Sequence, residues 1–229
     1  MKPCLLVLFF VLSTPLIVLA QNSKQIKFSV SVAADWTNLF CKSSGWFGGD
    51  GIYTIPMNGV ESSKSKSKRT LVIFSDTMIG EIKEGILQPD SKMIHNAVAI
   101  LDGNYPDPEN LNFYWKKEGL QPQSVFIPKT PNTGAGDYYW LGDGFVNQEI
   151  NNSIFIFGYR VKTISNAAFG FEEVGNTLLK IKSGEPIPFK NYKQKDTPFF
   201  LDRTESEKGS FGAGIFVNTT MAGASNRVD

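Results

Sequence analysis

The chain holds one histidine, two cysteines and no surplus of either charge, and each shortage removes a class of function. A single imidazole argues against a histidine-based zinc site, because such sites usually take several imidazoles or thiolates. Lys plus Arg number 23 against 22 Asp plus Glu, so no strong net field draws the chain to nucleic acid or to an anionic membrane. There is no Gly-rich phosphate loop, no Cys-x-x-Cys pair and no EF-hand spacing around Asp102-Gly103-Asn104. Nor is there a Gly-x-Ser-x-Gly elbow, which argues against a Ser-His-Asp hydrolase. Trp-Asp dipeptides and the Ser-x-Asp-x-Gly-x-Thr-Trp repeat are missing as well. What is present is 229 residues that are 41% hydrophobic and 13% aromatic, a globular composition with room for one large domain or two small ones.

The first twenty residues read as a targeting segment. Lys2 precedes an apolar run from Cys4 to Leu19, and Val18-Leu19-Ala20 offers small residues where a signal peptidase reads. We expect a secretory signal over residues 1–20 with the mature domain over 21–229. A transmembrane anchor is the alternative, opposed by Pro15 and the short run. Cleavage would remove Lys2 and Cys4, leaving a net charge of zero and Cys41 as a lone thiol, expected to be a buried small hydrophobe.

The remainder reads as strands. Ile26, Phe28, Val30 and Val32 alternate with Lys27, Ser29 and Ser31, the period of a half-buried strand. Short apolar runs follow at Ile52–Ile55, Leu71–Phe74, Ala97–Leu101, Ser124–Ile127, Ile154–Phe157, Thr177–Ile181 and Ile215–Val217, each bounded by Gly, Pro, Asn or Asp. No sustained 3.6-residue apolar stripe appears, so the fold class is all-β. The basic stretch Glu61 to Arg69 lies between two of these runs with no interleaved aromatic, and reads as a solvated hairpin tip rather than a binding patch.

An internal repeat suggests the architecture. Gly49-Asp50-Gly51 precedes Ile52-Tyr53, Gly142-Asp143-Gly144 precedes Phe145-Val146, and Gly212-Ala213-Gly214 precedes Ile215-Phe216. The first two triplets start 93 residues apart, and the strand opened by His95-Asn96 falls midway. The resulting spacing is close to the roughly 40 to 50 residues of a four-stranded propeller blade. A β-sandwich also spaces short strands evenly but has no reason to repeat such a triplet.

Gly45-Trp46-Phe47-Gly48-Gly49-Asp50-Gly51-Ile52-Tyr53, Thr70-Leu71-Val72-Ile73-Phe74-Ser75-Asp76-Thr77 and Met93-Ile94-His95-Asn96-Ala97-Val98-Ala99-Ile100 carry a family resemblance. They resemble the opening of secreted bacterial five-bladed β-propeller proteins of unknown function, which are similar to propeller glycoside hydrolases acting on arabinans, fructans and related glycans. The resemblance runs from about Trp36 to the C-terminus and implies about three blades and the start of a fourth, a C-terminally truncated ring. It implies a secreted or periplasmic bacterial protein with a carbohydrate partner, monomeric when the ring is complete and not integral to a membrane. It calls for no cofactor, although related propellers sometimes carry calcium in the central channel.

Propeller geometry places candidate residues where the innermost strands begin, because those strands line one channel. Asp50, His95, Asn96 and Asp143 hold that position. Gly-Asp-Gly is also a good turn sequence, since Asp can hydrogen-bond its own backbone. Glycoside hydrolysis needs one protonated and one ionised carboxyl group flanking the scissile bond. The resemblance implies that Asp50 is the base or nucleophile and that Asp143 is the acid or a residue positioning the sugar, with Glu149 a weaker alternative for the acid. Asp76, at the end of a strand, is expected to be structural. His95 and Asn96 are candidate sugar contacts. Trp140, within Tyr138-Tyr139-Trp140, offers a flat face for a sugar ring, with packing between blades as the alternative. Two functions follow: a glycoside hydrolase, or a propeller that binds a glycan or cell-surface partner without cleaving it.

Overall fold

The computed structural model describes residues 27–61, 65–202, 204 and 207–215. The expected signal segment, residues 1–20, lies outside the described residues, as do Ile26, Phe216 and Val217.

The described chain is all-β apart from one short helix, α1 (Ala34–Asn38), and two 3-10 turns. Strands β1 (Ser44–Gly49), β2 (Tyr53–Pro56) and β3 (Arg69–Phe74) are followed by β4 (Thr77–Lys83), β5 (Ile86–Leu87), β6 (Lys92–Ile94), β7 (Ala97–Asp102) and β8 (Leu111–Tyr114). A small hairpin of β9 (Lys116–Glu118) and β10 (Gln121–Gln123) comes next. Then come the long strands β11 (Tyr138–Asn147), β12 (Ser153–Thr163) and β13 (Phe171–Ile181), and β14 (Lys193–Asp196). A last hairpin pairs β15 (Phe200–Asp202) with β16 (Lys208–Ser210).

Two four-stranded antiparallel sheets carry the fold, in the orders β2-β3-β7-β8 and β11-β12-β13-β14. Their facing sides share one core. Leu71, Ile73, Val98 and Ile100 from the first sheet pack with Leu141, Ile154, Ile156 and Leu179 from the second. Gly144 permits the approach of the two leading strands, because a Cβ there would lie 2.6 Å from Ile55 Cδ1. The alternate residues of the first sheet, Val72, Phe74, Ala97 and Ala99, face the other way. They are covered by Trp46, Ile79 and Ile94 from a smaller sheet in which β1 and β6 pair with β4, and by Leu39. The first sheet is thus buried on both faces, which is why β7 reads as the continuous apolar run Ala-Val-Ala-Ile-Leu rather than as an alternation.

The repeat and the sheets agree in part. The first triplet precedes β2, which leads the first sheet, whereas the second triplet and the Phe145-Val146 that follows it lie within β11, which leads the second sheet. The run Ala97–Leu101 does not open a further blade. It pairs with β3 inside the sheet that β2 leads, with the β4–β6 segment inserted between β3 and β7. The interval of 93 residues between the first two triplets therefore spans one sheet and its insertion, and the halved spacing is not a structural period. Ile215 is not in a strand. Among the described residues there are two four-stranded meanders, and no closed ring is seen.

Three smaller expectations are corrected. Residues 27–32 form no strand, and Phe28, Val30 and Val32 are exposed, because an alternating stretch becomes a strand only where a partner edge takes its hydrogen bonds. Cys41 is exposed, its thiol donating to the Thr37 carbonyl at 3.6 Å after α1, rather than buried. Ser124–Ile127 is irregular, yet Val125 and Phe126 are fully buried in the shared core, so the apolar run reflects packing and not a strand. The Glu61 to Arg69 stretch belongs to the connection between β2 and β3 with Arg69 opening β3, as expected, and residues 62–64 lie outside the described residues.

Candidate functional site

Asp50 lies between β1 and β2, at the point where the chain passes from the small sheet to the first large one. Its amide donates to the Asp76 carbonyl at 3.1 Å and its carbonyl accepts from the Ser75 amide at 2.8 Å, so the turn is pinned to the β3–β4 junction. Gly51 has φ +55° and a Cβ there would meet Ser75 Oγ at 2.6 Å, so a side chain is excluded by both conformation and space. The result sets the Asp50 carboxyl near Asp76. Partial burial, and then the Asp76 charge, push the Asp50 carboxyl above the ordinary aspartate range, opposed by hydrogen bonds from backbone amides.

Asp76 is the centre of the cluster. Its Oδ1 accepts from Trp140 Nε1 at 2.9 Å and lies 3.0 Å from His95 Nδ1, with about a quarter of the side chain exposed. These two partners come from different places in the fold, His95 from the start of β7 and Trp140 from β11 of the second sheet. The His95 ring stacks on Tyr138, with centroids 3.6 Å apart and planes 15° from parallel. Its backbone amide donates to Ser124 Oγ. Tyr138 meets Trp140 edge-on, and Trp140 meets Phe171 at 4.7 Å. Two carboxyl groups, an imidazole and an aromatic wall therefore share one surface at the junction of the sheets. Beside it, a cleft of about 190 Å³ opens over His95 and Tyr138 and is lined further by Gln123, Ser124, Pro128 and Asp137.

Asn96 and Asp143 stand apart from this surface. Asn96 is fully buried. Its Nδ2 donates to the carbonyls of Phe126 and Tyr139, and its Oδ1 accepts from the Phe126 amide. With those bonds made it ties the 124–127 segment to β11 and presents no surface to a ligand, which corrects its reading as a sugar contact. Asp143 Oδ1 accepts from the Gly144 amide at 2.7 Å, and Oδ2 accepts from the Ile215 amide at 2.9 Å. Its own amide donates to the Gly212 carbonyl, so it fastens the third triplet to β11. Its charge acts on Tyr53 and Glu61, whose acidic groups are raised mainly by burial and then by Asp143, whereas the charge acting on Asp50 is that of Asp76.

Of the residues named from sequence, Asp50, His95 and Trp140 come together. The partner that joins them is Asp76, expected from sequence to be structural. In the sequence Tyr138 stands out only as a neighbour of Trp140. The contacts span 19 residues from Asp76 to His95 and 64 from Asp76 to Trp140, and no local pattern announces them. Among the described residues no three His, Cys, Asp or Glu side chains converge as a metal-holding group. No described helix is long and apolar enough to cross a membrane.

Comparison with known proteins gives three results. A family described as a domain of unknown function, DUF5005, matches residues 33–221. No curated protein matches the chain. The crystal structure of a Bacteroides ovatus protein, called a "putative hydrolase", is similar in fold, with a TM-score of 0.51 and 16% identity. The similar region covers 70% of this chain and 42% of that one, so the chain spans less than half of that protein's length.

Proposed function

The chain belongs to the DUF5005 family of domains of unknown function, and on that premise we propose that it is part of a secreted bacterial β-propeller that binds and hydrolyses a glycan at the Asp50–Asp76 surface. The two four-stranded meanders packed through their leading strands support the propeller architecture, since successive blades pack in this way. Residues 1–20 are its secretion signal.

The observation that carries the reading is the double hold on Asp76. Two ring N–H groups, of Trp140 and of His95 in the tautomer that donates from Nδ1, converge on Asp76 Oδ1 and fix its orientation. An ionised Asp76 makes the neighbouring Asp50 carboxylate more basic, which suits a group that takes a proton from water or attacks an anomeric carbon. Tyr138 and Trp140 supply aromatic surface of the kind against which sugar rings pack. The fold shared with the Bacteroides ovatus protein adds the precedent of that protein's own description.

Non-catalytic glycan binding is the second reading, favoured by one observation. Asp143, the expected partner carboxyl, has each oxygen engaged by a backbone amide, an arrangement that suits a structural brace better than a general acid.

The test is a panel of arabinan, fructan and xylan oligosaccharides incubated with the purified chain and with Asp50→Asn. Hydrolysis of one member by the wild type, reduced at least a hundredfold in the variant, supports the enzyme. Binding without hydrolysis, retained in Asp50→Asn, supports the binder. Equal hydrolysis by both proteins removes Asp50 from the chemistry.

A further inference from the structure

We propose that the cleft over His95 and Tyr138 is a subsite for an uncharged sugar unit, adjoining the Asp50–Asp76 surface; the inference rests on the glycan reading above. Three features of the cleft argue for it. First, it is continuous with that surface, because His95 both lines the cleft and contacts Asp76, and Tyr138 both lines it and stacks on His95. Second, its walls are of two kinds. Ile127 and Pro128 offer aliphatic surface, while the Gln123 amide and the Ser124 hydroxyl offer polar groups, matching the apolar faces and hydroxyl rim of a sugar ring.

The third feature is an acceptor with nothing to accept. Asp137 lines the cleft with a side chain only 3% exposed, and its Oδ1 is buried without a hydrogen-bond partner. Its Oδ2 accepts from the Gly134 amide and lies 3.4 Å from Arg160 Nε. Such an orphaned acceptor is costly unless a donor reaches it. The Arg160 guanidinium already balances the carboxylate charge, so the fitting donor is a neutral hydroxyl.

Charge sets the substrate class. The carboxylates that set the charge of this region are Asp50 and Asp76, since Asp137 is balanced by the buried Arg160. The lining contains no lysine or arginine. An acidic sugar such as a uronate would bring its negative charge beside these carboxylates with no lysine or arginine in the lining to receive it. Neutral pentose or hexose units are the chemistry that fits.

Gln123 is the residue to change, because it lines the cleft from strand β10 and takes no part in the Asp76 contacts. Isothermal titration and steady-state kinetics are run with neutral xylo-, arabino- and fructo-oligosaccharides of two to five units, and with oligogalacturonides as the acidic comparison. Wild type, Gln123→Ala and the exposed control Lys117→Ala are compared, with thermal unfolding to verify that each folds. The expected result is tighter binding of neutral chains with each added unit up to the subsite, and about three- to tenfold weaker binding of the longer chains in Gln123→Ala, the scale of one lost hydrogen bond. A rise in KM with kcat nearly unchanged is the kinetic counterpart. A surface merely disturbed by mutation would weaken short and long chains alike.

Oligogalacturonides bound as tightly as neutral chains, or a Gln123→Ala variant binding every chain as the wild type does, would overturn the subsite. Hydrolysis lost in Asp50→Asn but indifferent to Gln123→Ala would overturn the subsite while leaving the glycan reading intact. Gln123-dependent binding with no hydrolysis would support the subsite and count against catalysis. Failure of every neutral glycan to bind would end both.

Discussion

The Ser75 hydroxyl accepts the Leu141 amide proton at 2.9 Å and donates to the Leu141 carbonyl at 3.2 Å, so one side chain occupies both backbone groups of a residue in the other sheet. Ser75 also faces Gly51 and precedes Asp76. The clamp between the sheets and the placement of the two candidate carboxylates are therefore the same piece of structure.

Ser75→Ala should strip both Leu141 groups of their partner in a buried setting. Each unpaired buried polar group costs about 1–3 kcal/mol, so a total loss of about 2–6 kcal/mol is expected. Urea denaturation measures it as a lower midpoint at unchanged slope. Glycan affinity should fall as well, because Asp76 and Trp140 sit on opposite sides of the clamp. A midpoint within error of the wild type would show that the clamp carries no weight.

Asp50→Asn keeps the size and the turn while removing the negative charge. Hydrolysis should drop by roughly two to four orders of magnitude, the scale of a general base, with the thermal midpoint little changed. Asp76→Asn should lower both rate and stability. It weakens the hold on Trp140 and His95 and removes the charge that raises the Asp50 carboxyl. A pH-rate profile separates the two effects: with Asp76 neutralised, the acidic limb attributed to Asp50 should move to lower pH.

Asn96→Ala should act on folding and not on binding. Removing Asn96 leaves the Phe126 amide and the Phe126 and Tyr139 carbonyls without this partner in the interior, an expected cost of about 3 kcal/mol or more. Chemical denaturation gives the cost, and titration of the folded protein should return an unaltered Kd. A Kd changed out of proportion to stability would restore Asn96 to the site.

Glu173→Gln should stabilise the protein at neutral pH. Burial raises the Glu173 carboxyl above the ordinary glutamate value of 4.5, with a hydrogen bond from Ser210 opposing the shift. The folded state therefore favours the protonated acid. That advantage is complete below the unfolded pKa and is lost as pH rises through the higher folded pKa, so the ionised form costs stability above it. Glutamine avoids the cost. The difference in thermal midpoint between variant and wild type should be positive at pH 7 and shrink towards zero near pH 4. A difference independent of pH would assign it to packing.

The sequence carried the strands better than their arrangement. The class all-β, β2 after the first triplet, and the β2–β3 hairpin with its basic connection were all legible, because alternation, Gly and Asp act locally, whereas the second triplet lies within β11 and not before it. The place of β7 was not. Its apolar run resembles the leading strand of a new sheet, and only the pairing with β3 across the β4–β6 insertion shows otherwise. Asp76 is hydrogen-bonded as expected, but its partners were not legible for a related reason: Trp140 and His95 are delivered by the fold from elsewhere. Asn96 had the opposite fate, since its place beside His95 made it look functional when its side chain points into the protein.

The double coverage of the first sheet has a consequence for how the molecule breathes. Amide groups in β3 and β7 lie beneath apolar layers on both sides, so their exchange with solvent hydrogen requires opening of the whole sheet. Asp50 is hydrogen-bonded to Ser75 and Asp76 immediately after β3, and His95 enters β7 two residues upstream of its first strand residue. The candidate carboxylates and imidazole are thus moored to a sheet buried on both faces, apart from the outlying hairpins.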